Sequence, residues 1–189
     1  MILFVTRHGE TAANVEKLFY GQLEYPLTEN GRQQAKKLQP LFQNYPIARV
    51  YSSDLGRAVE TAKLAIPGCE PIQIPDLREY DIGSIAPIKQ SECFRLYGNP
   101  KGDYTPFGGE NTQMVAERLQ HFLNSLAADP VPYAAAFSHN GTIKCLLRLV
   151  LGNIDTSALQ SCNCNVIALR YTGERWILAA WNMAGELEV

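Results

Sequence analysis

The chain has 189 residues, of which 46% are hydrophobic, 10% aromatic and 19% charged. That composition suits one domain with a substantial core, held without disulfides or a structural metal, and excludes a disordered chain. Lys and Arg number 17 against 19 Asp and Glu, a formal charge of −2; this near-balance argues against a general nucleic-acid binder, and no apolar run nears the roughly 18 residues of a membrane span.

Residues 2–6, Ile-Leu-Phe-Val-Thr, form a continuous apolar run, the pattern of a central parallel strand buried on both faces. No basic stretch precedes this run, so it does not read as a signal peptide. Thr28 is a good N-cap for a helix running to about Gln43, with Pro40 expected to kink or end it. A short strand follows near 48–51, then a helix from about Asp54 to Ala65 that Pro67-Gly68 breaks, and a further strand at 72–74. Asp54 reads as the N-cap of that helix. Residues 83–110 are rich in Gly and Pro and read as a lid-like surface excursion, with a helical turn or two around 90–97.

The helix at 112–127 is clearer, with Val115, Leu119, Phe122, Leu123 and Leu126 on one face; Glu110 at its start suits the helix dipole. Residues 133–138 read as a strand and 141–151 as a helix, with Ile143, Leu146, Leu147, Val150 and Leu151 inward, Lys144 and Arg148 on the wet face, and Gly152 as stop. A hairpin of 166–171 and 176–181 closes the chain, and Trp176 and Trp181 in it read as packing residues. Strands alternating with helices predict a single α/β domain over 1–189. Its architecture is a three-layer sandwich with a mostly parallel central sheet and helices on both faces.

The five cysteines are odd in number and form no Cys-x-x-Cys, which fits free thiols in a reducing cytoplasm acting as small hydrophobes. Of three histidines, His121 lies beside the apolar face of a helix and reads as structural. His8 and His139 each follow a predicted strand, where open α/β sheets place their ligands, so the two can meet. After the first strand, Arg7-His8-Gly9 offers a tight turn, an anion-favouring helix start, a guanidinium fork for phosphate oxygens and a nucleophilic imidazole. Three residues alone leave a strand-end charge with a surface histidine equally open.

The rest of the chain adds five stretches in order. Arg7-His8-Gly9-Glu10-Thr11 with Asn14 is followed by Tyr20-Gly21 and Pro26-Leu27-Thr28-Glu29-Asn30-Gly31, then by Ser52-Ser53-Asp54-Leu55 with Arg57-Ala58. Leu77-Arg78-Glu79-Tyr80, Gly108-Gly109-Glu110 and Ser138-His139-Asn140-Gly141 complete the series. Together they resemble the histidine phosphatase superfamily, the phosphoglycerate mutase-like group. The resemblance implies that His8 takes the phosphoryl group as a phosphohistidine, and that Arg7, Arg57 and His139 hold the phosphoryl oxygens. It implies that Glu79 protonates the leaving oxygen and later takes a proton from water. Asn14, Tyr20, Gly21 and Asn140 would complete the phosphate site, and neither metal nor cofactor is required, because side-chain cations supply the positive charge. The implied partner is a small phosphorylated substrate, with no nucleic acid and no membrane.

Three departures touch substrate preference. Ser84-Ile85-Ala86-Pro87 stands where such phosphatases often have Xaa-Trp-Glu-Gly, Ile82 stands where an aromatic is usual, and Asn140 replaces a frequent glycine. A cytoplasmic phosphomonoesterase is the leading expectation. A phosphoglycerate mutase is the alternative, disfavoured because the short excursion carries only Lys89, Arg95 and Lys101 as cations. A phosphate-binding module without turnover is a third reading, against which the joint presence of His8, Arg7, Arg57, Glu79 and His139 speaks. Tyr97, Tyr104 and Phe107 in the excursion offer either a platform for a substrate or packing onto the sheet.

Overall fold

A computed structural model of the chain describes residues 1–183 apart from 101, 153, 157, 158, 160 and 161. The strands are β1 (Ile2–Arg7), β2 (Leu18–Phe19), β3 (Arg49–Ser52), β4 (Ile72–Gln73), β5 (Ile88–Lys89), β6 (Tyr133–Ser138), β7 (Val166–Tyr171) and β8 (Trp176–Ala180). The helices are α1 (Ala12–Val15), α2 (Glu29–Lys36), α3 (Gln39–Gln43), α4 (Gly56–Ala65), α5 (Gln90–Tyr97), α6 (Thr112–Ala128) and α7 (Asn140–Leu151). The main sheet has six strands in the order β4-β3-β6-β1-β7-β8. β4, β3, β6 and β1 pair in parallel, while β7 runs antiparallel to β1 and to β8. β2 and β5 form a separate antiparallel pair that ties the excursion to the segment after α1.

The two faces of the sheet follow from the two-residue period of its strands. Leu3 and Val5 of β1, Ala134 and Ala136 of β6, and Ile167 and Leu169 of β7 face one side, where they meet α6 and α7 through Leu119, Phe122, Ile143 and Leu146. Ile2 and Phe4, Ala135 and Phe137, and Val166 and Ala168 face the other, against Leu41 and Phe42 of α3 and Ala58, Ala62 and Ala65 of α4. β1 reads as an unbroken apolar run because it needs both sets. The expected three-layer sandwich with a mostly parallel sheet is the observed one.

Local departures have local causes. The helix predicted from Thr28 to Gln43 is two helices: Thr28 caps α2 through Gly31 N–H (3.0 Å), and α3 starts with Pro40 in its first turn, where a missing N–H costs nothing. The segment after Arg7-His8-Gly9 makes only one helical turn, α1, closed by a capping box between Thr11 and Asn14. Asp54 does not cap α4; Leu55 holds the cap position, and the Asp54 carboxylate instead takes Arg78 Nε–H at 2.7 Å. Residues 83–110 do form an excursion with one short helix, α5, flanked by single 3-10 turns at Gly83–Ile85 and Thr105–Phe107. Trp176 is buried and Trp181 packs against the same core, as packing residues should.

Candidate active site

Parallel pairing brings several carboxyl ends to one edge of the sheet. His8 N–H donates to Ser138 O (3.0 Å) and Ser53 N–H to Phe137 O (2.9 Å), so the residues following β1, β3 and β6 are locked side by side. The chain after β1 then turns against the start of α2. A Cβ on Gly9 would lie 2.5 Å from Gly31 O, and one on Gly31 would collide with Glu10 O, so both positions need glycine for close backbone approach. Gly9 N–H is held by Thr61 Oγ1 of α4 (3.0 Å).

His8 is almost fully buried, and its Nδ1 lies 2.7 Å from Gly9 O. A carbonyl only accepts, so Nδ1 carries the proton and Nε2 keeps its lone pair. Nε2 lies 3.4 Å from the hydroxyl of Tyr20. Burial, followed by the charges of Arg57 and Arg7, holds the imidazole well below its ordinary value of 6.5. The ring is therefore neutral at physiological pH, the state a nucleophile requires.

Arg57 projects from α4 and is the largest fully buried side chain among the described residues. Its guanidinium donates to Gly21 O (2.8 Å), Leu23 O (2.9 Å) and His139 Nδ1 (3.3 Å), and lies 4.7 Å from the centre of the Tyr20 ring. Tyr20 and Gly21 thus shape the site through Arg57: one stacks under it and the other accepts from it. His139 is wholly buried, its ring 5.2 Å from that of His8. Its Nδ1 accepts from Arg57, and its Nε2 is 2.9 Å from Ser53 Oγ. Because an arginine never accepts, the neutral ring carries its proton on Nε2 and gives it to Ser53. Burial, followed by Arg57 and His8, holds this histidine too well below 6.5.

Glu79 stands at the N-terminus of α7. Gly141 N–H donates to one carboxylate oxygen (2.9 Å), and Thr142 N–H (3.1 Å) and Tyr80 N–H (3.0 Å) donate to the other. The orphan amides of Gly141 and Thr142 at the start of α7, with the loop amide of Tyr80, fix the carboxylate at the cleft. A Cβ at Gly141 would lie 2.5 Å from Glu79 Oε1, so glycine is what lets the acid dock there. The loop carrying Glu79 is buttressed by the Gly-Gly-Glu stretch: Glu110 accepts Asp81 N–H (2.9 Å) and pairs with Arg118 (3.0 Å), which also reaches Glu79 O (3.2 Å). Glu110 is structural, though through this bracket; the helix cap is Asn111.

An open cleft of about 670 Å³ gathers Arg7, His8, Asn14, Arg57, Glu79 and Asn140 in its lining. Asn14 spends its amide oxygen on Thr11 N–H (3.1 Å) and Asn163 (3.1 Å), and one N–H on Tyr20 Oη (3.3 Å), which leaves a second N–H for a ligand. Asn140 opens α7 with its Oδ1 buried and without a hydrogen-bond partner among the described residues. Tyr104 from the excursion and Ile82 also line the cleft, and burial pushes Tyr104 up to about 12. Tyr97 and Phe107 pack edge to face on each other (4.8 Å) outside it. Arg95 is exposed beside Glu92, and Lys101 lies outside the described residues.

Two residues assigned to solvent from helical spacing prove to line the cleft: Lys144 and Arg148. The signal was present, since Asn140, Lys144 and Arg148 recur every four residues from the second histidine and so share one face of α7. His121 stays outside the cleft: it is exposed and lies 2.7 Å from Asp76. Cys93 and Cys145 are buried as expected, whereas Cys162 is exposed. Among the described residues, no helix is long and apolar enough to cross a membrane, and no cluster of three His, Cys, Asp or Glu could hold a metal ion.

Residues 3–184 match the family model described as histidine phosphatase superfamily (branch 1). The chain is 31% identical over 193 residues to the probable phosphoglycerate mutase GpmB of Cronobacter sakazakii (strain ATCC BAA-894), covering 95% of this chain and 89% of that one. It is 29% identical to the metal-independent phosphoserine phosphatase of Arabidopsis thaliana, with 98% and 82% covered. The solved structure of the alpha-ribazole phosphatase from Shigella flexneri superposes with a TM-score of 0.88 at 26% identity, over the full length of both chains.

Proposed function

Because the chain belongs to the histidine phosphatase superfamily, we propose that it is a phosphomonoesterase hydrolysing small phosphorylated metabolites through a phosphohistidine on His8. The observation that carries this reading is the neutral, buried His8, its proton held on Nδ1 by Gly9 and its Nε2 left beside a cleft that also holds Arg7, Arg57 and Glu79. Nε2 attacks phosphorus, the P–O ester bond breaks, and its electron pair leaves with the alcohol oxygen, which Glu79 protonates. Water then attacks the phosphohistidine and gives its proton to Glu79; inorganic phosphate leaves and His8 is restored. Arg7, Arg57 and His139 form the cationic and polar bed for the phosphoryl oxygens, His139 by holding Arg57 Nε, with the N–H groups of Asn14 and Asn140 beside them. Such fixed donors are what phosphoryl transfer needs, and they supply positive charge without a metal.

A second reading, phosphoglycerate mutase, is favoured by the GpmB relatives and by Lys144 and Arg148, which give the cleft more positive charge than the excursion alone suggests. The deciding experiment measures phosphate release from an aryl phosphate in excess chelator, wild type beside His8→Ala. Wild-type turnover that falls at least about 10⁴-fold in the variant, with cooperative unfolding retained, is expected. Chelator-sensitive turnover, or appreciable release by His8→Ala, would overturn the mechanism. Transfer from a bisphosphoglycerate to phosphoglycerate in place of phosphate release would establish the mutase.

A further inference from the structure

The chain enters β7 through a tight turn that is docked on the end of β1. Asn165 N–H donates to Cys162 O (3.2 Å) and closes the turn, and Cys164 within it has a φ of 58°, the left-handed region that costs any residue with a Cβ. The strained turn is held by the strand end: Arg7 N–H donates to Asn165 O (3.0 Å), and Cys164 N–H donates to Arg7 O (3.1 Å) and His8 O (3.3 Å). Asn163, the other central residue of the turn, is thereby placed beside the site without lining its cleft.

The Asn163 amide donates to His8 O (3.0 Å) and to Asn14 Oδ1 (3.1 Å). A carbonyl oxygen only accepts, so the Asn163 atom against His8 O is its nitrogen. The Asn14 atom facing that same nitrogen is then its oxygen, to which Thr11 N–H also donates (3.1 Å). Both lone pairs of Asn14 Oδ1 are spent in this way. Asn14 Nδ2 reaches Tyr20 Oη (3.3 Å) with one hydrogen and keeps the other at the cleft. Thr11 belongs to the same single helical turn as Asn14 and moves with it, whereas Asn163 is 149 residues away and ties the amide to the sheet.

We infer that Asn163 is a positioning residue: through its bond to Asn14 Oδ1 it fixes the polarity of the Asn14 amide, so that an N–H and not a carbonyl oxygen faces the phosphoryl group. This rests on the phosphomonoesterase reading for what occupies the cleft, and adds to it a residue that touches neither substrate nor reacting atoms. An untethered carboxamide can present either end. To a phosphoryl dianion one end is a charge-assisted donor and the other a repelling dipole, so holding the amide one way round is worth as much as the bond itself.

The test is a double-mutant cycle on binding, so that it does not depend on turnover. The probe is tungstate, a phosphate-shaped dianion, titrated by calorimetry into wild type, Asn14→Ala, Asn163→Ala and the double variant. Asn14→Ala is expected to weaken tungstate about tenfold or more, and Asn163→Ala about three- to tenfold. In the Asn14→Ala background, Asn163→Ala is expected to cost less than about twofold, because the amide it holds is gone. A merely structural tie of the turn to β1 costs the same factor in both backgrounds; that result, or an unchanged affinity in either single variant, would overturn the inference. Should Asn163→Ala fail to fold, Asn163→Asp keeps the shape and loses the N–H donors, and the charge it adds cancels because both backgrounds carry it. Tungstate that does not bind wild type removes the oxyanion site on which the phosphomonoesterase reading stands, and the inference with it; tungstate that binds wild type without this coupling removes the inference alone.

Discussion

The sheet edge and the excursion between residues 83 and 110 are built on different terms. At the sheet edge, His8, Arg57 and His139 are almost without solvent exposure, and each is held by groups from a different part of the chain: Gly9, Gly21 and Leu23, Ser53. The excursion between residues 83 and 110 reaches the cleft through Asn99, Gly102 and Tyr104, leaves Phe94, Leu96 and Tyr97 about half exposed, and is built from single helical turns around one short helix. A reacting group must be placed within tenths of an ångström, and the sheet edge is over-determined by backbone and burial. Substrate choice tolerates a looser wall. On the proposed mechanism the chemistry belongs to the sheet edge, and substrate preference is proposed to belong to the excursion.

If that division holds, the largest effects belong to the sheet edge. Glu79→Gln removes the transferable proton and leaves one acceptor oxygen where Gly141 N–H and Thr142 N–H now use two, so one of these donors loses its partner. Turnover of an alkyl phosphate is expected to fall about 10²–10⁴-fold, and that of a nitrophenyl phosphate, whose oxygen leaves unaided, far less. Equal losses on the two substrates in steady-state kinetics would remove Glu79 from the acid role.

Arg57→Met comes next and separates fold from charge. The methionine fills much of the volume but orphans Gly21 O and Leu23 O, so a loss of about 2–4 kcal/mol in urea unfolding is expected, together with a loss of activity. A variant as stable as wild type would mean that the buried guanidinium is held for catalysis alone.

How much of this division the sequence showed depends on what each residue's signal was. β1 was legible because a strand buried on both faces must be apolar at every position, and His8 because a charged Arg-His-Gly stretch follows it. Glu79 was legible only through the order of six blocks; no local pattern tells a carboxylate at a helix N-terminus from an exposed one. Asp54 went astray because an N-cap is judged from neighbours in sequence, while its partner Arg78 arrives from another loop. Lys144 and Arg148 were misplaced for the same reason: helical period divides apolar from polar faces, but it does not say whether the polar face meets solvent or a cleft. His121 shows the converse, since its position beside the apolar stripe said nothing of Asp76 across the surface. Contacts between distant segments are where one-dimensional pattern loses its physical basis.

The buried histidines give a smaller effect that is spread over pH. Both are neutral in the fold, held below the ordinary 6.5 by burial and by neighbouring arginines. As pH falls beneath 6.5 the unfolded chain takes up protons that the folded one refuses, so stability is lost in that direction. The loss is up to about 1.4 kcal/mol per pH unit for each histidine, and it stops once the folded value is reached; above 6.5 the pair adds no pH dependence. Urea unfolding between about pH 7 and pH 5 should show this slope, reduced by one proton's worth in His8→Gln. An unchanged slope in that variant would mean that the sheet edge does not hold His8 neutral.

The smallest effect should come from the excursion, and it is the one that can break the comparison outright. Tyr97 rests edge-on against Phe107 at 4.8 Å and is about half exposed, so Tyr97→Ser gives up one aromatic pair. The expected cost is about 0.5–1.5 kcal/mol, with kcat on a small aryl phosphate moved by no more than about twofold. KM for bulkier phosphate esters should move more than kcat, because the excursion shapes the wall and touches no reacting atom. If Tyr97→Ser instead cuts kcat on the small substrate as deeply as a change at the sheet edge, closure of the excursion is part of the chemical step. The division between a rigid reaction centre and a permissive wall would then be wrong at its foundation, since a residue outside the cleft would be setting the geometry of His8 and Glu79.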